Sequence, residues 1–412
     1  MRITLPYGHG QLNVDLDADA QRIARLEPRR SAVDPIRLAL AAPIGSPPLH
    51  SLLHNGQSIV IVTSDITRPC PTHLMLPPIM EELALAGIPD GDVTVVFGLG
   101  THRAHTLEEH AQLVGPEMLA RLRCVDSDPA QMVSVGTTSR GTPVEVFRPV
   151  LEADVRIALG NVEPHYFAGY SGGAKAIVPG VCSANTIQHN HAMMVEPNAC
   201  AGVLDGNPVR EDIEEGASLV GIDFILNVIL DSEHRVVMAA AGHPVEAHRW
   251  ACRAVDYLSK VAVEQLADVV LVSAGGFPKD INVYQAQKAL DSAAAAVRPG
   301  GVIVWVAECA EGLGNAVFEE WLVGADPDDI LARIQRQFVL GGHKAAAMAR
   351  VLKRASVFLV SALPPDVVSE CGMTPYSNVE SALQDALAQS GLDSFVVILP
   401  EGASVLVPQE IA

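Results

Sequence analysis

Residues 58–103, SIVIVTSDITRPCPTHLMLPPIMEELALAGIPDGDVTVVFGLGTHR, decide the architecture. The run 58–63 (SIVIVT) is apolar on both faces of its alternation, and 93–97 (VTVVF) repeats the pattern. Strands of that kind belong to parallel sheets covered by helices on both sides. The segment between them has helical spacing, so strand, helix and strand read as one parallel crossover unit. Outward from it, similar runs recur at 154–159 (DVRIAL), 268–273 (DVVLVS), 302–306 (VIVWV), 356–361 (SVFLVS) and 395–399 (FVVIL). Most are followed by Gly, Pro, Asn or Ser and then by a longer helical segment. The expected fold class is therefore α/β, built on largely parallel sheets. Segments 1–15 and 133–147 alternate more strictly and predict antiparallel additions near an edge.

A chain of 412 residues exceeds one ordinary core, so two α/β domains are expected. The boundary falls near 262–267, where AVDYLSKVAVEQLADVVLVSAGG reads as a helix end, a connector and the first strand of a new series. This gives an N-terminal unit 1–263, with 400–412 as a candidate return to it, and a C-terminal unit 267–398. The formal net charge of −20 leaves no basic field to gather phosphates, which excludes nucleic-acid and anionic-membrane partners. An anionic substrate would need positive groups local to its site. The start MRITLPYGHG has no basic segment leading into an apolar one, and no run of 18 apolar residues follows. Seven scattered cysteines form no CxxC pair and read as reduced thiols, which predicts a cytoplasmic location.

Four constellations carry candidate chemistry. Asp65-Ile66-Thr67-Arg68-Pro69 follows the first strand, where ligands bind in this architecture; it offers an acceptor, a hydroxyl and an anion-binding fork. It reads equally as a capped turn with Pro69 opening a helix. Gly98-Leu99-Gly100-Thr101-His102-Arg103 follows the next strand and would deliver His102 and Arg103 to the same rim. The run GNVEPHYFAGYSGGAKAIVPGVCSANTIQHNH, 160–191, holds His165, Gly172, Gly173, Lys175, His189 and His191. Its glycines can bring backbone N–H groups to a ligand, although GxxxxGK[ST] is absent. Lys175 can be a structural cation, a phosphate clamp or an attachment point. His189 and His191 share a face only in a strand, and a zinc site there lacks a third ligand in the sequence. In the second domain, a helix from near Asn282 would project Tyr284, Gln285 and Lys288 from one face, suited to a polar anion or to plain solvation. The remaining histidines, His105, His110, His248 and His343 among them, read as surface, capping or packing residues.

Together DITRP (65–69), GTHR (100–103), HYFAGYSGGAK (165–175), His191 and PKDINVYQAQKAL (278–290) resemble the lactate racemase family of nickel-pincer-nucleotide 2-hydroxyacid racemases, over nearly the whole chain. The resemblance implies two α/β domains with the site in the cleft between them. It also implies a cofactor, a pyridinium mononucleotide whose two sulfur arms hold nickel through S, C and S. Lys175 maps onto its covalent attachment, His191 onto the nickel ligand, and His102 and His165 onto the acid and base for the two substrate hands. Arg68, Tyr284, Gln285 and Lys288 map onto substrate positioning, and Asp65 onto cofactor binding. Thr67, Arg68, Gly172 and Gly173 complete the expected cofactor-binding set. The implied partners are a small 2-hydroxy acid and the cofactor-assembly enzymes.

The chemistry fits those residue types, because the Cα proton of an ionised 2-hydroxy acid is held too tightly for imidazole. Moving hydride instead needs an electron-poor acceptor that no side chain provides. Each histidine then handles only the hydroxyl proton, for which imidazole is well matched. Ala104 stands where the family has Pro, and 343–356 holds no aromatic where lactate racemase places one against substrate. The substrate thus stays open between lactate, a close analogue and a larger hydroxy acid or sugar acid handled by an epimerase. Two readings from other classes are a hydrolase with a metal on His189 and His191, and a protein that stores the cofactor without turnover.

Overall fold

The structure is a computed structural model that describes residues 2–16, 20–22, 33–231, 233–260, 263, 265–391 and 393–407. The chain forms two compact units, Glu27–Leu258, and Met1–Leu26 together with Ser259–Ala412. The first is built on a six-stranded sheet in the order 236–242, 224–230, 155–161, 59–64, 93–98, 123–126. Only Val236–Gly242 runs antiparallel to its neighbour. The second carries a six-stranded sheet in the order 374–376, 356–360, 297–306, 267–273, 396–399, 20–22, parallel throughout. No helix among the described residues is long and apolar enough to cross a membrane.

All seven expected strands are present, with ends shifted by a residue or two except Val297–Val306, which starts five residues early. Phe224–Leu230 and Val236–Gly242 were not foreseen. The first is buried along its whole length, but Asn227 interrupts its apolar run. The strictly alternating segments form antiparallel hairpins, Arg2–Tyr7 with Gly10–Asp15 and Met132–Thr137 with Pro143–Phe147. Each is a separate two-stranded sheet and not an addition to a main sheet.

The domain boundaries need correcting. The N-terminal hairpin buries Ile3, Leu5, Val14 and Leu16 in the same core as Val269, Val302 and Val396, so the expected 1–263 unit loses its first residues to the C-terminal unit. Nor do the described residues of 400–412 return to the first unit. Leu406 N–H donates to Ser259 O at 2.9 Å and Ser292 Oγ donates to Val405 O at 2.6 Å, both within the second unit; 408–412 lie outside the described residues.

Asp280 locks the hairpin onto the strand ends. One oxygen, Oδ2, accepts Gly8 N–H at 2.7 Å and Glu308 N–H at 3.1 Å, while Phe277 N–H donates to Gly8 O at 2.8 Å. The 275–288 loop therefore takes its shape from a turn more than 260 residues away in sequence. Removing this buried acceptor strands two backbone donors. Asp280→Ala should cost about 3 kcal/mol in the urea unfolding of this unit, and Asp280→Asn, which keeps the shared acceptor, roughly half that or less. Equal losses in the two variants would contradict the assignment.

Candidate active site

Strands Ile59–Ser64 and Val93–Gly98 run side by side, with Val155–Asn161 on the other flank of the first, so three neighbouring strand ends open onto one rim. Asp65 follows the first, is 3% exposed, and accepts His102 Nδ1–H on Oδ2 at 2.6 Å. The Thr67 hydroxyl donates to the same carboxylate at 3.0 and 3.1 Å. Burial pushes the Asp65 carboxyl up, but the His102 hydrogen bond and charge, Arg68 and Thr67 outweigh it and hold it below its ordinary value. The carboxylate fixes the His102 proton on Nδ1 and leaves Nε2 as the basic nitrogen of a ring whose side chain is 46% exposed. Arg68 is also exposed on this loop. Arg103 is not brought to the rim: its guanidinium pairs with Glu109 at 2.6 and 2.7 Å, where Glu109 closes the capping box of the helix Leu107–Val114.

His165 follows the third strand in a short hairpin with Gly169–Tyr170. Its Nδ1 accepts Ala168 N–H at 3.3 Å, which puts the ring proton on Nε2, the opposite tautomer to His102. Phe167, 3% exposed, meets three candidate groups: the His165 ring at 4.6 Å, the His191 ring at 4.8 Å, and Lys175 Nζ at 5.9 Å from its centroid. His191 lies in the helix Ala184–Ala192 with Nδ1 3.2 Å from Asn190 Oδ1. The Asn190 amide donates to Val209 O and Asp212 Oδ2, which aims its carbonyl oxygen at His191. With that carbonyl oxygen as acceptor, His191 Nδ1 is the donor, and a second polar group thus orients the imidazole. His189 is exposed on the same helix, with Nδ1 2.9 Å from Asn185 O. Two residues apart on a helix, the rings take different faces, so the paired-histidine hydrolase reading loses its site.

Gly172 and Gly173 adopt φ of +75° and +57°. A Cβ on Gly173 would sit 2.7 Å from the His248 ring, and one on Gly172 2.7 Å from Val162 Cγ2. Gly173 N–H donates to Asn227 Oδ1 at 2.9 Å. These glycines let the lysine loop press against its own scaffold, and the Gly173 N–H is not offered to a ligand.

In the second unit, Asn282 Oδ1 accepts Gln285 N–H at 3.0 Å and caps the turn Val283–Ala286, after which Lys288–Ala296 continues as helix. Tyr284, Gln285 and Lys288 are half-buried on it. The ammonium of Lys344 stands 3.7 Å from the Tyr284 ring centroid and donates to the Tyr284 carbonyl.

A sequence profile of the lactate racemase N-terminal domain matches residues 7–202, and one of the lactate racemase C-terminal domain matches 262–407. The chain is 35% identical to the lactate racemase of Thermoanaerobacterium thermosaccharolyticum over 99% of each chain. It is 30% identical to that of Lactiplantibacillus plantarum over 98% of this chain and 99% of the other. The structure of the lactate racemase apoprotein from Thermoanaerobacterium thermosaccharolyticum matches with a TM-score of 0.92 at 34% identity, covering 99% of this chain and 100% of that one. The chain belongs to the lactate racemase family. Membership makes it an isomerase of the racemase class. A Thermotoga maritima protein shares the fold at a TM-score of 0.65 and 18% identity, over 87% of this chain and 96% of its own.

Within this lactate racemase fold, sequence reasoning missed several residues that brace the loops of the rim. Phe167 sat inside the quoted motif without a role. His248, read as packing, donates from Nε2 to Ser171 O at 2.8 Å, and burial followed by the nearby Arg210 charge pushes it down to about 3, so it stays neutral. Arg210 is fully buried and donates to the carbonyls of Ala168 and Tyr170. Lys344 had a faint signal, a lone cation opening the small apolar run 345–349. His105 and His110 meet Asp126, the one group of three metal-capable side chains among the described residues.

The lowered Asp65 carboxyl has a consequence for stability. Its ionised form stabilises the fold at neutral pH, and that contribution disappears as pH falls through the lowered value. The urea midpoint of Asp65→Asn should lie below wild type at pH 7, and the gap should close below about pH 4. A gap that is constant with pH would show that ionisation is not what Asp65 contributes.

Proposed function

We propose that this chain interconverts the two hands of lactate or a close 2-hydroxy acid analogue. In this reading a nickel-pincer nucleotide is joined to Lys175, His191 is the nickel ligand, and His102 and His165 are acid and base. The observation that carries it is the gathering of His165, Lys175 and His191 around the Phe167 ring. The donor set fits the group: imidazole suits nickel beside sulfur donors, Asn190 Oδ1 orients the His191 ring through Nδ1, and Lys175 supplies an amine on a braced loop. When bound, the cofactor supplies the electron-poor acceptor that the side chains lack.

The side chains do the remaining work. His102 Nε2, basic because Asp65 holds the proton on Nδ1, takes the hydroxyl proton from one hand of the substrate. His165, once protonated on both nitrogens, is the acid that returns a proton to the hydroxyl oxygen of the other hand and is left as a neutral ring. Arg68 and Lys288 are the cations suited to the substrate carboxylate, with Tyr284 and Gln285 beside Lys288. The cofactor-assembly enzymes are the partners this reading requires.

Two experiments test it. In protein made alongside those enzymes, intact mass should show an adduct that is absent from Lys175→Ala. Nickel should be lost in His191→Ala and largely kept in His189→Ala; an adduct that survives Lys175→Ala, or the reverse nickel pattern, would overturn the assignment. The second concerns the Cα hydrogen. A histidine that abstracted it as a proton would exchange it with solvent, whereas histidines confined to the hydroxyl proton leave it alone. Racemisation in D₂O should therefore give product that retains protium at Cα, and solvent deuterium there after few turnovers would defeat the mechanism.

A further inference from the structure

His105 lies outside the groups assigned above, and its side chain is 1% exposed. Its Nδ1 meets Asp126 Oδ1 at 2.7 Å, its backbone N–H donates to Asp126 Oδ2 at 2.7 Å, and its Nε2 accepts Ile66 N–H at 3.1 Å. His110 Nε2 reaches the same Asp126 oxygen at 3.0 Å. Phe97 closes the cluster, edge-on to His105 at 5.4 Å and stacked on His110 at 4.6 Å.

The spacing alone suits a metal, but the hydrogen bonds argue for a proton. With Nε2 accepting from Ile66, the neutral ring must carry its hydrogen on Nδ1 and donate it to Asp126. A metal on Nδ1 would leave the imidazole with no proton at all, whereas metal-bound histidines donate from their second nitrogen. Burial pushes the Asp126 carboxyl up, but the bonds from His105 and His110 outweigh it and hold it low, so Asp126 is an ionised acceptor.

We infer that His105 is a positioning residue: it couples the Asp126 carboxylate to the Ile66 amide and so fixes the 65–69 loop and the Asp65–His102 pair. Ile66 is the next residue after Asp65, and its N–H donates to the His105 ring at 3.1 Å. A loop free to rotate there would carry the Asp65 carboxylate away from His102. The catalytic consequence rests on the reading of His102 given above; the structural one does not.

Two amides separate the halves of the imidazole. The Asn amide nitrogen overlays Nδ1, and the Gln carbonyl oxygen overlays Nε2. His105→Asn thus keeps the bond to Asp126 and loses the acceptor for Ile66, whereas His105→Gln does the reverse. In metal-free, cofactor-free protein, the Ile66 amide should exchange slowly in wild type and His105→Gln and quickly in His105→Asn. The low-field Nδ1 proton of His102 should follow the same order. In the loaded enzyme, kcat should fall about tenfold or more in His105→Asn with little change in KM, and His105→Gln should recover most of it.

Ile66 protection that persists in His105→Asn, or equal kcat losses in both variants at equal folded fraction, would overturn the inference. So would stoichiometric binding of zinc or nickel to the cofactor-free protein that His110→Ala abolishes. Failure of the catalytic reading has its own signature: full turnover in His102→Gln, whatever the Ile66 amide does.

Discussion

The hydrogen bond from Gly100 N–H to Gly180 O, at 2.9 Å, closes the loop that carries His102 onto the segment that follows Lys175. It forms because two backbones meet with nothing between them. A Cβ on Gly98 would lie 2.9 Å from the Gly180 carbonyl, and one on Gly180 would lie 2.2 Å from Ala176 O. The loop that carries His102 and the lysine loop are therefore tied to each other. Parallel strands put the two loops on one rim, and the glycines let them touch.

A rim built this way leaves many polar groups buried, and the first unit satisfies them with side chains that take no part in chemistry. Arg210 holds two carbonyls of the 168–170 hairpin, His248 holds the carbonyl of Ser171, and Asn227 takes the N–H of Gly173 from within a fully buried strand. Each is costly to bury, and the bonds it makes offset that cost in part, Arg210 Nη1 and Asn227 Nδ2 having no hydrogen-bond partner among the described residues. Such braces hold the lysine loop against its scaffold. The second unit does the same with Asp280 and Lys344, which hold the loop and the ring ahead of Lys288.

How much of this was legible follows from which signals are local. A strand covered on both faces prints a continuous apolar run, so 59–64 and 93–98 were readable from side chains alone. Phe224–Leu230 is no less buried, but the site needs Asn227 in its middle, and that polar residue hid the strand. The hairpin at 2–15 was readable as a hairpin, but not its unit, because its partners Asp280, Val302 and Val396 lie hundreds of residues on. His102 and Asp65 were readable as candidates, but their bond was not. Arg103 was misplaced because the Glu109 that captures it belongs to a helix cap six residues later. Braces such as His248 and His105 carry no motif, since any donor or acceptor of the right reach could serve.

The two histidines begin in opposite tautomers, His102 with a lone pair on Nε2 and His165 with a proton there. Under the proposed function the site is prepared for one hand of the substrate when His102 is neutral and His165 has taken up a second proton, so that one ring is a base and the other an acid. Converting that hand moves a proton onto neutral His102 and one off cationic His165, which leaves the arrangement the other hand requires. The reset occurs through solvent or through a turnover in reverse. Such asymmetry has a thermodynamic bound. Two enantiomers have equal free energy in water, so the equilibrium constant is unity and kcat/KM must be equal in the two directions. Asp65 and the Ala168 amide can therefore divide kcat and KM unequally between the hands, but they cannot favour either one. A fold that supplies two different braces for its two histidines gives up no equilibrium by doing so. What it gains is a base and an acid ready at the same moment, from two side chains of one kind.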